Sequence, residues 1–263
     1  GSPMTSEMKF CRRYTSWWNG LIRHASSFMR IANSGVDRID YPMNDVDKGR
    51  KSKIAIINQA GFKLFQQFKN KNNVKHISVF SKILQSKENQ VIFQEIIQAS
   101  INYISKFENN EQYINISLNE QDCEEIVEIA FRLIAKYSRY TIDINPMFHG
   151  CGFINQCYGD ILIKNNEEST IVEVKAGERN FTISDLRQIL IYAGLDYIHN
   201  QTQRILKFEL YNPRRGVSYS GTIAELCWDL GSITPEEFFE ELRFYITETI
   251  FLSLDLNNAT KQI

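Results

Sequence analysis

The chain has 263 residues with 43% hydrophobic and 23% charged content, ordinary values for a water-soluble globular protein and enough chain for one large domain or two small ones. No apolar run approaches a membrane span and no secretory signal is visible, so the expectation is a cytoplasmic protein without membrane contact. The net charge of −1 hides an asymmetry: residues 1–83 carry 15 Lys and Arg against 5 Asp and Glu, whereas residues 84–263 carry 15 against 26.

The charge change coincides with a change of pattern near Ser81–Asn89. It predicts a basic, mainly helical N-terminal region over 1–83 and a second domain over 84–263. Residues 1–3 read as a cleaved-tag scar before Met4. Within the first region, Leu21–Ile31 has helical spacing, and Trp17 and Trp18 at its approach suit a buried core. A basic cluster follows, with Lys48, Arg50, Lys51 and Lys53, next to a helical stretch over Ile54–Phe68. Such a cluster is the kind of surface that grips phosphates, and a solvated loop is the alternative.

Further along, Glu88–Phe107 and Gln121–Tyr140 each place apolar residues on one helical face. Thr141–Asn145 is a short strand. Residues 161–163 and 171–176 are β-branched apolar runs joined by a polar turn, which predicts a hairpin folded about residue 167. Ser184–Asp185 caps a helix running to about Ile198. Arg204–Tyr211 reads as a strand, and the turn after it holds Arg214 and Arg215, a candidate phosphate clamp. Thr234-Pro235 opens a last helix with acids in its first turn.

The five cysteines form no CxxC pair, which predicts free thiols in a reducing compartment. His149, Cys151 and Cys157 match no common zinc spacing. Gly150-Cys151-Gly152 is too little for a dinucleotide loop.

The hairpin carries the chemistry. Folding it brings Asp160 opposite Glu173–Lys175, and Glu173 and Lys175, two apart, project from one face. Two acids and one amine then converge at the end of a sheet, which suits a divalent cation and a water nucleophile. The carbonyl of Val174 is a third candidate oxygen ligand, because Mg²⁺ takes oxygen ligands and keeps several waters. Gln188 lies early on the next helix, positioned to fix Lys175 or the water, with Tyr192 one turn on and on the same face.

Gly159-Asp160, then Glu173-Val174-Lys175, then Gln188-Ile-Leu-Ile-Tyr192 resembles the PD-(D/E)xK nuclease superfamily in its RecB-like QxxxY branch, with glycine where proline usually precedes the first acid. The resemblance spans about residues 121–220. It implies an α/β restriction-endonuclease-like core, a central mixed sheet flanked by helices, here with a mainly helical N-terminal extension. It implies a metal-dependent DNA nuclease with Mg²⁺ or Mn²⁺ held by Asp160, Glu173 and Val174. The catalytic set would be Asp160, Glu173, Lys175 and Gln188, with Lys175 serving the water or the transition state. Tyr192, Arg214, Arg215 and the Lys48, Arg50, Lys51 and Lys53 cluster are the candidate DNA contacts. Glu124, Glu125 and Glu128 on the preceding helix, and His149, are further candidate metal ligands by the same resemblance. In bacteria such a domain serves as the effector of a phage-defence or restriction system, as a homodimer or beside an ATPase or recognition subunit. The alternative is a non-catalytic subunit of the same fold that docks partners or DNA.

Overall fold

A computed structural model of the protein describes residues 4–43, 52–71, 74–108, 113, 115–166 and 168–261. The chain opens with helices α1 (Glu7–Arg13), α2 (Thr15–Leu21) and α3 (Ala25–Ser34), then a short strand β1 (Asp37–Arg38). Helices α4 (Ile54–Phe68), α5 (Ile77–Ile83), α6 (Lys87–Phe107) and α7 (Glu120–Tyr137) follow. Strands β2 (Thr141–Ile144), β3 (Met147–Phe148), β4 (Cys157–Tyr158), β5 (Ile161–Asn165) and β6 (Glu168–Val174) lead to helix α8 (Ile183–Asn200). Strands β7 (Ile205–Asn212) and β8 (Val217–Thr222) and helices α9 (Ile223–Gly231) and α10 (Pro235–Lys261) complete it.

Local chemistry accounts for the helix starts that matter to the site. Asn119 accepts from the Asp122 N–H while Asp122 accepts from the Asn119 N–H, a capping box that starts α7. Thr182 and Asp185 form the corresponding box for α8, so the cap falls two residues earlier than the Ser184 expected from sequence. The helix expected over Leu21–Ile31 is interrupted between α2 and α3. There the N–H of His24 donates to the Leu230 carbonyl at 2.8 Å, and the end of α9 docks into the break. A Cβ on Gly231 would stand 2.4 Å from the Leu21 carbonyl, so glycine permits that approach.

The main sheet has the order β1-β8-β7-β6-β5-β2. Among the described residues of this sheet, β6 and β7 are the one parallel pair, and α8 is the crossover that joins them. β5 and β6 form the expected hairpin, with Ile161 opposite Val172 and Asn165 opposite Glu168. The sheet separates two cores, and alternation along β6 divides its side chains between them. Ile171 packs with Ile189, Leu190 and Leu210 under α8, and Val172 packs with Ile126, Leu133 and Leu64 under α7 and α4. Glu173 and Lys175 continue the Ile171 series, so they emerge on the α8 side at the strand's end.

The expected division at 83/84 is not a packing boundary. Phe10, Trp18, Ile22 and Phe28 of the basic region belong to the core under α8, and Ile56, Leu64 and Phe65 of α4 belong to the core under α7. Trp18 is fully buried and donates its indole N–H to the Phe10 carbonyl. The charge asymmetry is a surface property laid over two cores to which both regions contribute. Trp18→Ala is therefore expected to destabilise the whole chain by about 3–5 kcal/mol in a single cooperative transition. Chemical denaturation followed by far-UV circular dichroism reads it, and a separate early transition for the N-terminal region would contradict the interleaving.

Candidate active site

The hairpin register places Asp160 beside Glu173, and the two are held by reciprocal backbone contacts. The Asp160 N–H donates to Glu173 Oε1 at 2.9 Å, and the Val174 N–H donates to Asp160 Oδ2 at 2.8 Å. Each carboxylate is thus fixed by the strand that carries the other. Gly159 makes room for this. A Cβ there would lie 3.3 Å from Glu173 Oε1 and 3.1 Å from Ile171 Cδ1.

Lys175 Nζ stands 3.8 Å from Glu173 Oε2 and 3.8 Å from Asp185 Oδ1, and donates to Gln188 Oε1 at 2.7 Å. Gln188 passes the chain on, its Nε2 donating to the Tyr192 hydroxyl at 2.9 Å. That hydroxyl donates to the Tyr158 carbonyl at 3.0 Å. The Tyr192 ring stacks on Phe148 with centroids 5.0 Å apart. The spacing of Gln188 and Tyr192 along α8 therefore builds a buried relay that fixes the amide's orientation and, through it, the ammonium.

The electrostatics follow from crowding. Burial raises the Glu173 carboxyl well above its ordinary range, and the neighbouring Asp160 charge pushes it the same way, against the pull of Lys175. Burial also raises Asp160, opposed by Lys175 and by the Val174 N–H. Burial alone would lower the Lys175 ammonium, but Glu173, Asp160 and Asp185 outweigh it and leave the ammonium above its ordinary value.

Among the described residues no group of three His, Cys, Asp or Glu side chains comes together in a geometry suited to a metal ion. The pair present still suits Mg²⁺, which is commonly held by one or two carboxylates with water and substrate phosphate completing its sphere. Two crowded acids facing one ammonium, both pushed toward their neutral forms, are short of positive charge. Glu125 lies 3.3 Å from Arg214, Glu128 is bound by Arg132 at 2.8 Å, and Glu124 is exposed, and none of the three lines the clefts at the site. His149 is exposed and packs beside His199.

The site opens into two clefts that meet on it. One of about 750 Å³ runs between α4 and the loop after Lys175, and the other, of about 850 Å³, runs along α1. Asp160, Val174 and Lys175 line both. The N-terminal region thus supplies walls of the groove. Sequence reasoning missed Glu7, whose Oε1 is 3.5 Å from the Tyr192 hydroxyl. It also missed Asn58, which donates to the Ala176 carbonyl at 3.1 Å. No sequence signal links α1 to α8. Asp185 was readable only as a cap, although its spacing of three from Gln188 already puts both on one face of α8.

No protein-family model matches the chain, and no curated protein matches it either.

The expected nucleic-acid contacts need correction. Tyr192 is 1% exposed and spends its hydroxyl on Tyr158 and Gln188, so it supports the site from behind Gln188. Arg214 is 2% exposed. It donates to the Ala176 carbonyl at 2.9 Å and to Asn58 at 2.9 Å, and lies 3.3 Å from Glu125, so it fastens the loop after Lys175 to α4 and α7. Lys53 is bound to the buried Asp122 at 3.1 Å, which makes it a tether at the start of α7. Arg215 remains at the surface, donating to Asn180 beside the groove. Lys48, Arg50 and Lys51 lie outside the described residues.

Arg214→Ala removes a buried cation from Glu125, Asn58 and the Ala176 carbonyl and is expected to cost about 3–5 kcal/mol, whereas Arg215→Ala is expected to change stability by at most about 0.5 kcal/mol. Urea denaturation of the two variants checks the contrast.

The folded protein holds the Glu173 proton more tightly than the unfolded chain does. This carboxyl therefore lowers stability as pH rises above its ordinary 4.5. Glu173→Gln is expected to raise the metal-free melting temperature at pH 7 by about 2–4 °C, a gain that shrinks toward pH 4.5. Added Mg²⁺ is expected to stabilise the parent and not the variant. Differential scanning fluorimetry across pH, with and without Mg²⁺, reads all three effects.

Proposed function

We propose that this protein is a metal-dependent nuclease that hydrolyses phosphodiester bonds, with Asp160 and Glu173 as the metal-binding carboxylates. The observation that carries the reading is the reciprocal locking of those two acids at the end of β6, with Lys175 fixed beside them in an open groove. A divalent cation bound there would acidify a water and offset charge building on the phosphate. The protein's part is positioning. Asp160 and Glu173 hold their geometry through backbone N–H groups that belong to the hairpin itself. Lys175, held beside the pair by Gln188, serves as an electrostatic contact to the phosphate or the attacking water, with its ammonium in ion-pair reach of Glu173. Gln188 and Tyr192 keep that ammonium from collapsing fully onto Glu173. The Val174 carbonyl remains the candidate third oxygen, at the point where both clefts meet.

The exposed cations along the groove, Lys9, Arg12, Arg13 and Arg179, favour a second reading. In that reading the protein is a non-catalytic subunit that keeps the groove for docking DNA or a partner.

One assay separates the two. Plasmid and linear DNA are incubated with Mg²⁺, Mn²⁺ or EDTA. The parent is expected to cut only with metal, and Asp160→Ala, Glu173→Ala and Lys175→Ala each to lose at least about 10²–10³-fold in rate with the fold intact. Absence of cutting together with absence of Mg²⁺ binding by calorimetry would leave the docking reading.

A further inference from the structure

The groove has a surface property that hydrolysis alone does not require. Tyr103 and Phe107 stand one turn apart on α6 with their rings stacked, centroids 6.2 Å apart and planes 12° from parallel. They are 50% and 63% exposed. Tyr158, at the end of β4, is 55% exposed, its hydroxyl bonded to Gln156 at 2.8 Å. Exposed rings scattered singly over a surface need no explanation. These three are gathered on one groove, and Tyr103 and Tyr158 line both of its halves alongside Asp160 and Lys175. Exposed cations accompany them: Lys9, Arg12 and Arg13 of α1 line the same half as Phe107, and Arg179 lines the other.

We propose that the groove binds a single strand of nucleic acid, with unpaired bases stacked on Tyr103, Phe107 and Tyr158 and the phosphates tracking α1 to Lys175. This rests on the nuclease reading of the same groove and names its substrate class. Aromatic faces are of little use to a duplex, whose bases already stack on one another and present only edges and phosphates. An unpaired strand offers a free π-face at every base, and alternation of aromatic and cationic side chains is the surface that holds it without reading sequence. The charge pattern agrees, since the cations stand at the groove in a chain whose overall charge is slightly negative.

The test is fluorescence anisotropy in EDTA, where no hydrolysis occurs, with the full chain and labelled oligonucleotides of one sequence as single-stranded DNA, single-stranded RNA and blunt DNA duplex. At least one single strand is expected to bind about tenfold or more tightly than the duplex at equal salt. The DNA and RNA arms show which sugar is preferred. Tyr103→Ala and Phe107→Ala are each expected to weaken single-strand binding by about tenfold. Tyr103→Phe should restore the parent's affinity, and the loss should persist at high salt, where phosphate contacts fade. Matched thermal melts confirm that these exposed substitutions leave the fold intact. Equal affinity for duplex and single strands, or ring variants that bind like the parent, would overturn the proposal. Metal-dependent cutting is scored separately. Cutting without strand preference removes this inference and leaves the nuclease reading, whereas strand preference with neither cutting nor Mg²⁺ binding removes the nuclease reading and leaves a strand-binding groove.

Discussion

Two carboxylates held side by side, Glu173 buried and Asp160 half-buried, are the constraint on which the site's architecture depends. Like charges so placed resist joint ionisation, and each loses part of its hydration in the fold. The fold answers in stages. Backbone N–H groups of Asp160 and Val174 bind one oxygen of each acid, Lys175 lies within ion-pair reach of Glu173, and Asp185 holds Lys175 from the helix side. Residual crowding remains in the two carboxyls, both held above their ordinary range.

The remainder of the molecule keeps this arrangement from relaxing. The core under α8 sets the height of Gln188 and Tyr192 over the sheet, so the relay that orients Lys175 is as rigid as the packing of Ile189, Leu190 and Phe148. The loop that follows Lys175 is drawn down by Asn58 and Arg214 on the Ala176 carbonyl and by Asn212 on the Gly177 carbonyl at 2.8 Å. A site on a strand end, supported by buried hydrogen bonds on both sides, meets the need for positional precision better than one carried on free loops.

The sequence made the hairpin legible because strand period and turn chemistry are local. Ile161 opposite Val172 is the register that places Asp160 beside Glu173, and the four-residue step from Gln188 to Tyr192 is a local helical relation. Arg214 and Lys53 were misplaced for the opposite reason. Their partners Glu125 and Asp122 are distant in the chain, so a buried clamp and an exposed phosphate contact look alike in one dimension. The charge change near 83/84 reads as a domain boundary because charge records what the surface shows. Phe10 and Trp18, its share of the core, carry no charge and give no hint of which strand they cover. Glu7 and Asn58 border the site through contacts that no periodicity encodes.

The bond from Arg187 Nη1 to the Cys11 carbonyl at 3.0 Å joins residues 176 positions apart. During synthesis α1 leaves the ribosome long before α8 exists, and its cleft along Glu7–Arg13 has no opposite wall until β4, β6 and α8 have been made. A chain that has delivered only α1 carries the N-terminal basic residues without an assembled groove, and the two walls of the cleft meet only once β4, β6 and α8 have been made.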